Sequence, residues 1–209
     1  MNFIEEKMIF EISNGKKNIQ YPFELICKLA INDKDEDDKK QFENKIKEYK
    51  NGKNGKKYEK YVKSIEEYQD AFGKVKKISD VFCEFRLNKE AISKKFNLGN
   101  SNDVSGVYIW KINGEIVYIG ETKTFIKRFN EGYGRITPRN IFAGGQNTNC
   151  RMNIVAKKNK NKIIEIYFCK TNKCKELESN LLKYNNENEK EFWLIYNVKN
   201  NKHRRSYKD

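Results

Sequence analysis

Two short segments pair tyrosine with glycine, Gly106-Val107-Tyr108 and Tyr118-Ile119-Gly120. A phenol can take a proton from water only when nearby cations lower its pKa from the ordinary value of about 10. The chain has few other candidates for such work. Its single histidine, His203, lies in a basic C-terminal tail, so a Ser-His-Asp or Cys-His mechanism, or a His-rich metal site, has little to draw on. Acid–base chemistry must come from tyrosine, lysine or carboxylates. The five cysteines, Cys27, Cys83, Cys150, Cys169 and Cys174, are scattered and odd in number, which argues against a disulfide framework and for a reducing compartment. Cys169 and Cys174 form the one close pair, but no second pair or histidine pair accompanies them as zinc would require. They are expected to close a strand and open a helix.

The two tyrosine segments sit on adjacent strands, Gly106–Ile112 and Glu115–Gly120. Asn113-Gly114 invites a two-residue turn, but that register pairs Ile112 with Glu115 and sends Tyr108 and Tyr118 to opposite faces. A three-residue loop with Gly114 as a G1 bulge pairs Lys111 with Glu115 and Tyr108 with Tyr118. It sorts Val107, Ile109, Val117 and Ile119 to one face and Tyr108, Trp110, Ile116 and Tyr118 to the other. The sorted pattern favours the odd loop. The aliphatic face is then a core, and the tyrosine face is an aromatic cross-strand pair or a site.

Further elements follow from pattern and punctuation. A helix is expected from Lys123 to about Asn130, then a Gly/Asn-rich loop over Glu131–Asn149 and a helix from about Cys150. A strand at Lys162–Cys169, a helix at Lys173–Tyr184 and a short apolar helix at Lys190–Ile195 complete a small α/β domain. Before it, Met8–Ile12, the turn signal Asn14-Gly15 and Ile19–Tyr21 read as a hairpin ending at Pro22. Phe23–Ile31 reads as helical, Asp33–Tyr68 as exposed charged helices with a break at Asn51–Gly55, and Leu87–Leu98 as a short helix capped by Asn88 and closed by Gly99. With 209 residues, one ordinary domain plus a smaller region is expected: a mostly helical accessory region over 1–103 and a catalytic domain over 104–209.

Net charge is +14, and its distribution is uneven. From Val104 to Asp209 there are 21 Lys and Arg against 10 Asp and Glu, net +11. A polyanion is the partner such a half suits, because cations that neutralise phosphates release counterions. No run of apolar residues reaches the roughly 18–20 of a membrane span, and the N-terminus lacks the basic-then-apolar order of a signal peptide. A cytoplasmic protein is expected.

Taken in order, Gly106-Val107-Tyr108, Tyr118-Ile119-Gly120, Arg128 within Phe125–Phe129, Glu178 within Leu177–Lys183, and Tyr196-Asn197-Val198 resemble the GIY-YIG nucleases, in particular their restriction-endonuclease-like branch. The resemblance spans about Val104–Lys199. It implies a domain with a three-stranded antiparallel sheet flanked by helices, and Mg²⁺-dependent hydrolysis of DNA phosphodiesters, with Mn²⁺ able to substitute. Tyr108 would be the general base, Tyr118 would orient water or contact phosphate, and Asn197 would secure backbone around the site. Arg128 offers a planar fork of donors to non-bridging oxygens. Glu178 would hold one Mg²⁺, an ion that keeps several waters and needs few carboxylates.

Many relatives carry His or Tyr four residues after the arginine. Here that position is Gly132, and the adjacent Tyr133 is expected to substitute. Some repair relatives have a lysine three residues beyond the second tyrosine, where this chain has Glu121; that cationic role is expected either to pass to Lys123 or to be absent. The stretch Gly134–Asn153 resembles one found in restriction-type branches, and Arg135, Arg139, Gln146, Asn147, Asn149 and Arg151 are its candidate contacts to double-stranded DNA. A type II restriction-type endonuclease, acting as a homodimer on symmetric sites, is the leading expectation. Alternatives are a homing or repair-type nicking nuclease, a non-catalytic nucleic-acid-binding module and a protein-interaction domain.

Overall fold

The computed structural model describes residues 7–13, 18–51, 77–99, 103–142 and 147–187. In chain order the elements are β1 (Lys7–Ser13), β2 (Asn18–Lys28), β3 (Asn32–Asp33), α1 (Glu36–Asn51), a 3₁₀ turn (Ile78–Val81), β4 (Cys83–Glu84) and α2 (Lys89–Lys95). There follow β5 (Gly106–Ile112), β6 (Glu115–Thr122), α3 (Phe125–Lys127) running into a π turn (Arg128–Tyr133), α4 (Pro138–Phe142), α5 (Asn147–Lys158), β7 (Ile164–Lys170) and α6 (Cys174–Glu187). The chain divides into two compact units, residues 1–29, 87–126 and 162–209, and residues 30–86 and 127–161. Among the described residues no helix is long and apolar enough to cross a membrane. The expected helix at 190–195 lies outside them.

The first unit is built on an antiparallel sheet in the order β1-β2-β7-β5-β6. The mixed α/β class holds, but the sheet has five strands instead of the expected three. The two extra strands come from the N-terminal region, whose described residues are therefore not mostly helical. The hairpin does not stop at Pro22: β2 continues to Lys28 through the segment expected to be helical. Its ladder with β7 begins only at Glu24, so Pro22, opposite Ile9 on β1, lies outside the stretch paired on that side. There its missing N–H costs little. Phe23 and Ile26 are buried, and a register shift between Leu25 and Cys27 accommodates their uneven spacing.

The β5–β6 register also differs from expectation. Asn113 and Gly114 both have positive φ, 48° and 88°, the requirement of a two-residue type I′ turn, and Ile112 pairs with Glu115. Val117 is then an extra residue: Lys111 pairs with Ile116, but Trp110 pairs with Tyr118. This bulge reverses the alternation once, so Tyr108 and Tyr118 still share a face while Tyr108 stands opposite Gly120. Ile116 moves to the aliphatic side, where it joins Val107, Ile109 and Ile119 under Leu177, Leu181 and Leu182 of α6. Each fully buried aliphatic chain of this kind contributes on the order of 1.5–3 kcal/mol.

The opposite face is aromatic. Phe168 stacks on Phe125 at 4.2 Å and receives the edge of Phe96 at 5.3 Å. Phe96 follows α2, whose N-cap Asn88 accepts from Ala91 N–H at 3.0 Å, and Gly99 beyond its end has a φ of 57°. Both agree with the expected cap and stop. The start of α3 is fixed by Asp103, whose Oδ1 accepts from the N–H groups of Ile126 and Val104 at 2.7 and 2.9 Å.

The second unit packs Phe42 and Ile46 of α1, Val81 and Phe82, Ile136, Ile141, and Cys150 and Ile154 of α5 into its own core. The β3–β4 pair forms a separate two-stranded sheet. The expected loop over 131–149 contains α4, and α5 begins at Asn147, earlier than Cys150. Thr137 N–H donates to Asn140 Oδ1 at 2.7 Å across the start of α4.

Candidate functional site

The two tyrosines meet on the aromatic face with ring centres 6.1 Å apart, tilted by 32°. Tyr108 is 0% exposed and Tyr118 8%. Tyr108 is held on its other flank by Phe125, 6.1 Å away, so the aromatic column starting at Phe96 ends at the phenols. Both glycines of the paired segments leave space that neighbours fill. A Cβ on Gly120 would lie 2.5 Å from the Tyr108 hydroxyl and 2.7 Å from Cε1 of Tyr118. One on Gly106 would lie 2.2 Å from the Cys169 carbonyl oxygen and 2.4 Å from the Phe168 ring. Sequence reading missed this use of Gly120, although its place beside Tyr118 was the available signal.

Glu178 is half-buried on α6, the helix that packs along β6 and β5. It lies beside the stripe of Cys174, Leu177 and Leu181 that meets the aliphatic face. Lys123 is exposed at the end of β6. These residues and the tyrosines belong to the first unit.

Arg128 and Tyr133 belong to the second unit, and they are in contact. The guanidinium carbon of Arg128 lies 4.8 Å from the centre of the Tyr133 ring, a cation–π arrangement. The π turn is the cause. In an α-helix the residue four positions on stacks over the first, whereas a π turn, closed by i→i+5 bonds, brings the fifth residue to that place. Gly134 N–H donates to Phe129 O, an i→i+5 bond of 2.6 Å. The wider turn carries Tyr133 to the side of Arg128 although Gly132 occupies the four-residue spacing. Gly134 is needed on steric grounds: a Cβ there would lie 2.0 Å from the Phe85 carbonyl oxygen. Tyr133 is 0% exposed and receives Phe129 edge-on at 5.3 Å.

Of the candidate DNA contacts in this unit, Arg135 and Arg139 are exposed and Arg151 is half-buried on α5. Asn149 is 2% exposed, and its amide lies 3.2 Å from where a Gly132 Cβ would be, so it packs on the π turn. Asn147 opens α5. Gln146 and Asn197 lie outside the described residues, as does the side chain of Asn147.

All five cysteines are free thiols. Burial pushes Cys83 and Cys150 up to about 12 and Cys169 up to about 11, so these are packing groups with negligible thiolate at neutral pH. Comparison with family models, with curated proteins and with solved structures finds no match to this chain.

Proposed function

We propose that this chain is a Mg²⁺-dependent endonuclease of the GIY-YIG kind that hydrolyses phosphodiesters of double-stranded DNA, in the manner of a type II restriction enzyme. The observation that carries the reading is the pair of phenols on one sheet face, with the Tyr108 hydroxyl set over Gly120. Support comes from the stacking of Arg128 on Tyr133 across the π turn, which orients a planar fork of donors, and from the basic C-terminal half of the chain.

Hydrolysis needs a deprotonated water, neutralisation of the phosphate and stabilisation of the departing oxygen. In this reading Tyr108 takes the water's proton, Tyr118 orients the water, and Arg128 donates to a non-bridging oxygen. Asn197 secures the backbone. Among the described residues no three His, Cys, Asp or Glu side chains gather into a metal cage, so the assignment rests on one protein carboxylate. In this reading Glu178, on the helix packed against the aliphatic face, would hold Mg²⁺, an ion that retains much of its water and needs few protein ligands. When bound, the ion supplies charge stabilisation at the leaving oxygen. Lys123, Arg135, Arg139 and Arg151 are the cations assigned to DNA, with Gln146 and Asn147 as polar contacts, whereas Asn149, buried against the π turn, is withdrawn from that set. A homodimer would cut both strands of a symmetric site.

The test is incubation of the purified chain with unmodified phage DNA and Mg²⁺, followed by sequencing of the ends. Double-strand ends at a short recurrent sequence support the reading. Nicks at lesions or branches select a repair-type enzyme. DNA left intact at every Mg²⁺ and Mn²⁺ concentration refutes it.

A further inference from the structure

Asn153 stands in the middle of α5 within the run Met152-Asn153-Ile154-Val155-Ala156 and is 0% exposed. A primary amide buried in such company is costly unless its donors and its acceptor are matched. Here they are. Its Oδ1 accepts from Cys83 N–H at 2.9 Å, and its Nδ2 donates to Cys83 O at 2.9 Å and to Tyr133 O at 2.6 Å. The partners fix the orientation of the amide, because carbonyl oxygens can only accept and a backbone N–H can only donate. Asn153 thus completes the pairing of β4 on one side and seizes the last residue of the π turn on the other.

The neighbouring backbone repeats the attachment. Phe85 N–H donates to Gly134 O at 3.1 Å, and Glu84 forms a bridge with Arg135. The chain leaving the π turn is therefore laid along β4, with Asn153 bonded to both. A π turn lacks the regular i→i+4 ladder and needs such outside support to persist. What it displays is the Tyr133 ring, and on that ring rests the guanidinium of Arg128.

We propose that Asn153 is a positioning residue for Arg128, holding the Tyr133 carbonyl so that the π turn keeps ring and guanidinium stacked. The proposal builds on the reading of Arg128 as the group that neutralises phosphate. Asn153 itself touches no substrate. Asn153→Asp keeps an acceptor for Cys83 N–H but turns a carboxylate oxygen toward two carbonyl oxygens. Asn153→Ser, which is too short to reach Tyr133 O and buries no charge, serves where the aspartate variant does not fold.

The experiment follows the Arg128 Nε–Hε signal by NMR, identified by its loss in Arg128→Lys, and measures cleavage at a temperature well below the variant's melting point. In the wild type that proton is expected upfield, because the guanidinium carbon lies 4.8 Å from the centre of the Tyr133 ring. The variant is expected to lose the shift, to lower kcat about 100-fold, as an ångström of misplacement does, and to leave KM within about threefold. A merely structural asparagine would lower the melting temperature and leave signal and kcat unchanged in the folded variant, which overturns the proposal. A wild type that cleaves nothing, but whose Arg128 shift still depends on Asn153, sinks the nuclease reading and upholds the positioning of Arg128.

Discussion

Replacing Gly120 with alanine probes the packing of the two phenols directly. The added methyl would lie 2.5 Å from the Tyr108 hydroxyl, 2.6 Å from its Cζ and 2.7 Å from Cε1 of Tyr118. Non-bonded carbon atoms rest at about 3.5–4.0 Å, so relief requires about 1 Å of movement by one ring or both. Tyr108 cannot swing into solvent: it is 0% exposed and lies between Tyr118 and Phe125. Overpacking of this kind costs about 1–3 kcal/mol. In a chain of this size the melting temperature falls about 2–4 °C for each kcal/mol, which calorimetry or a circular-dichroism melt resolves. If Tyr108 is the base, the same ångström lowers kcat about 100-fold, and DNA affinity, which the proposed function assigns to other residues, is expected to be retained. A Gly120→Ala protein that melts with the wild type and cleaves at the wild-type rate would refute both the close packing and the role drawn from it.

Arg128→Lys retains charge but loses the planar fork and its stacking on Tyr133; kcat is expected to fall about 100-fold with little change in KM, read in steady-state cleavage. Arg135→Ala and Arg139→Ala, both at exposed positions, should each reduce the slope of log K against log salt by about 1 in DNA-binding titrations, uniformly across sequences. The buried Cys150 thiol, raised from an ordinary value near 9 to about 12, stays protonated in the folded chain while the unfolded chain ionises. Its contribution is fully present below pH 9 and declines as pH rises toward 12, by up to about 1.4 kcal/mol per pH unit. The stability gap between wild type and Cys150→Ala in urea titrations should therefore narrow from pH 8 to pH 10.

The elements that carry strong local signals were legible in the sequence. Asn88 and Gly99 marked the ends of α2, and β5, β6, β7 and α6 lie within a few residues of their expected bounds. The hairpin register shows where local reading fails. Asn113-Gly114 signalled a two-residue turn, and the alternation of apolar residues signalled both tyrosines on one face; the two seemed incompatible. A bulge at Val117 satisfies both, and nothing about valine announces a bulge. The attachment of the β1–β2 hairpin to β7 through β2 was hidden because strand neighbours far apart in sequence are chosen by packing, not by local pattern. The uneven apolar spacing in Phe23–Ile31 also suits a helix as well as a bulged strand. The tyrosines were found by residue type, whereas the contact of Arg128 with Tyr133 depends on a π turn that Gly132 and Gly134 permit but do not specify.

The most direct test of the central claim is cleavage of supercoiled plasmid in Mg²⁺ by the wild type and by Glu178→Ala, with DNA affinity measured on both. The wild type is expected to cut, and the variant to bind DNA within about threefold of the wild type while cutting at least 100-fold more slowly. Equal cutting by the two proteins would remove Glu178 from the mechanism, and intact plasmid with the wild type would contradict the account of this chain as a nuclease.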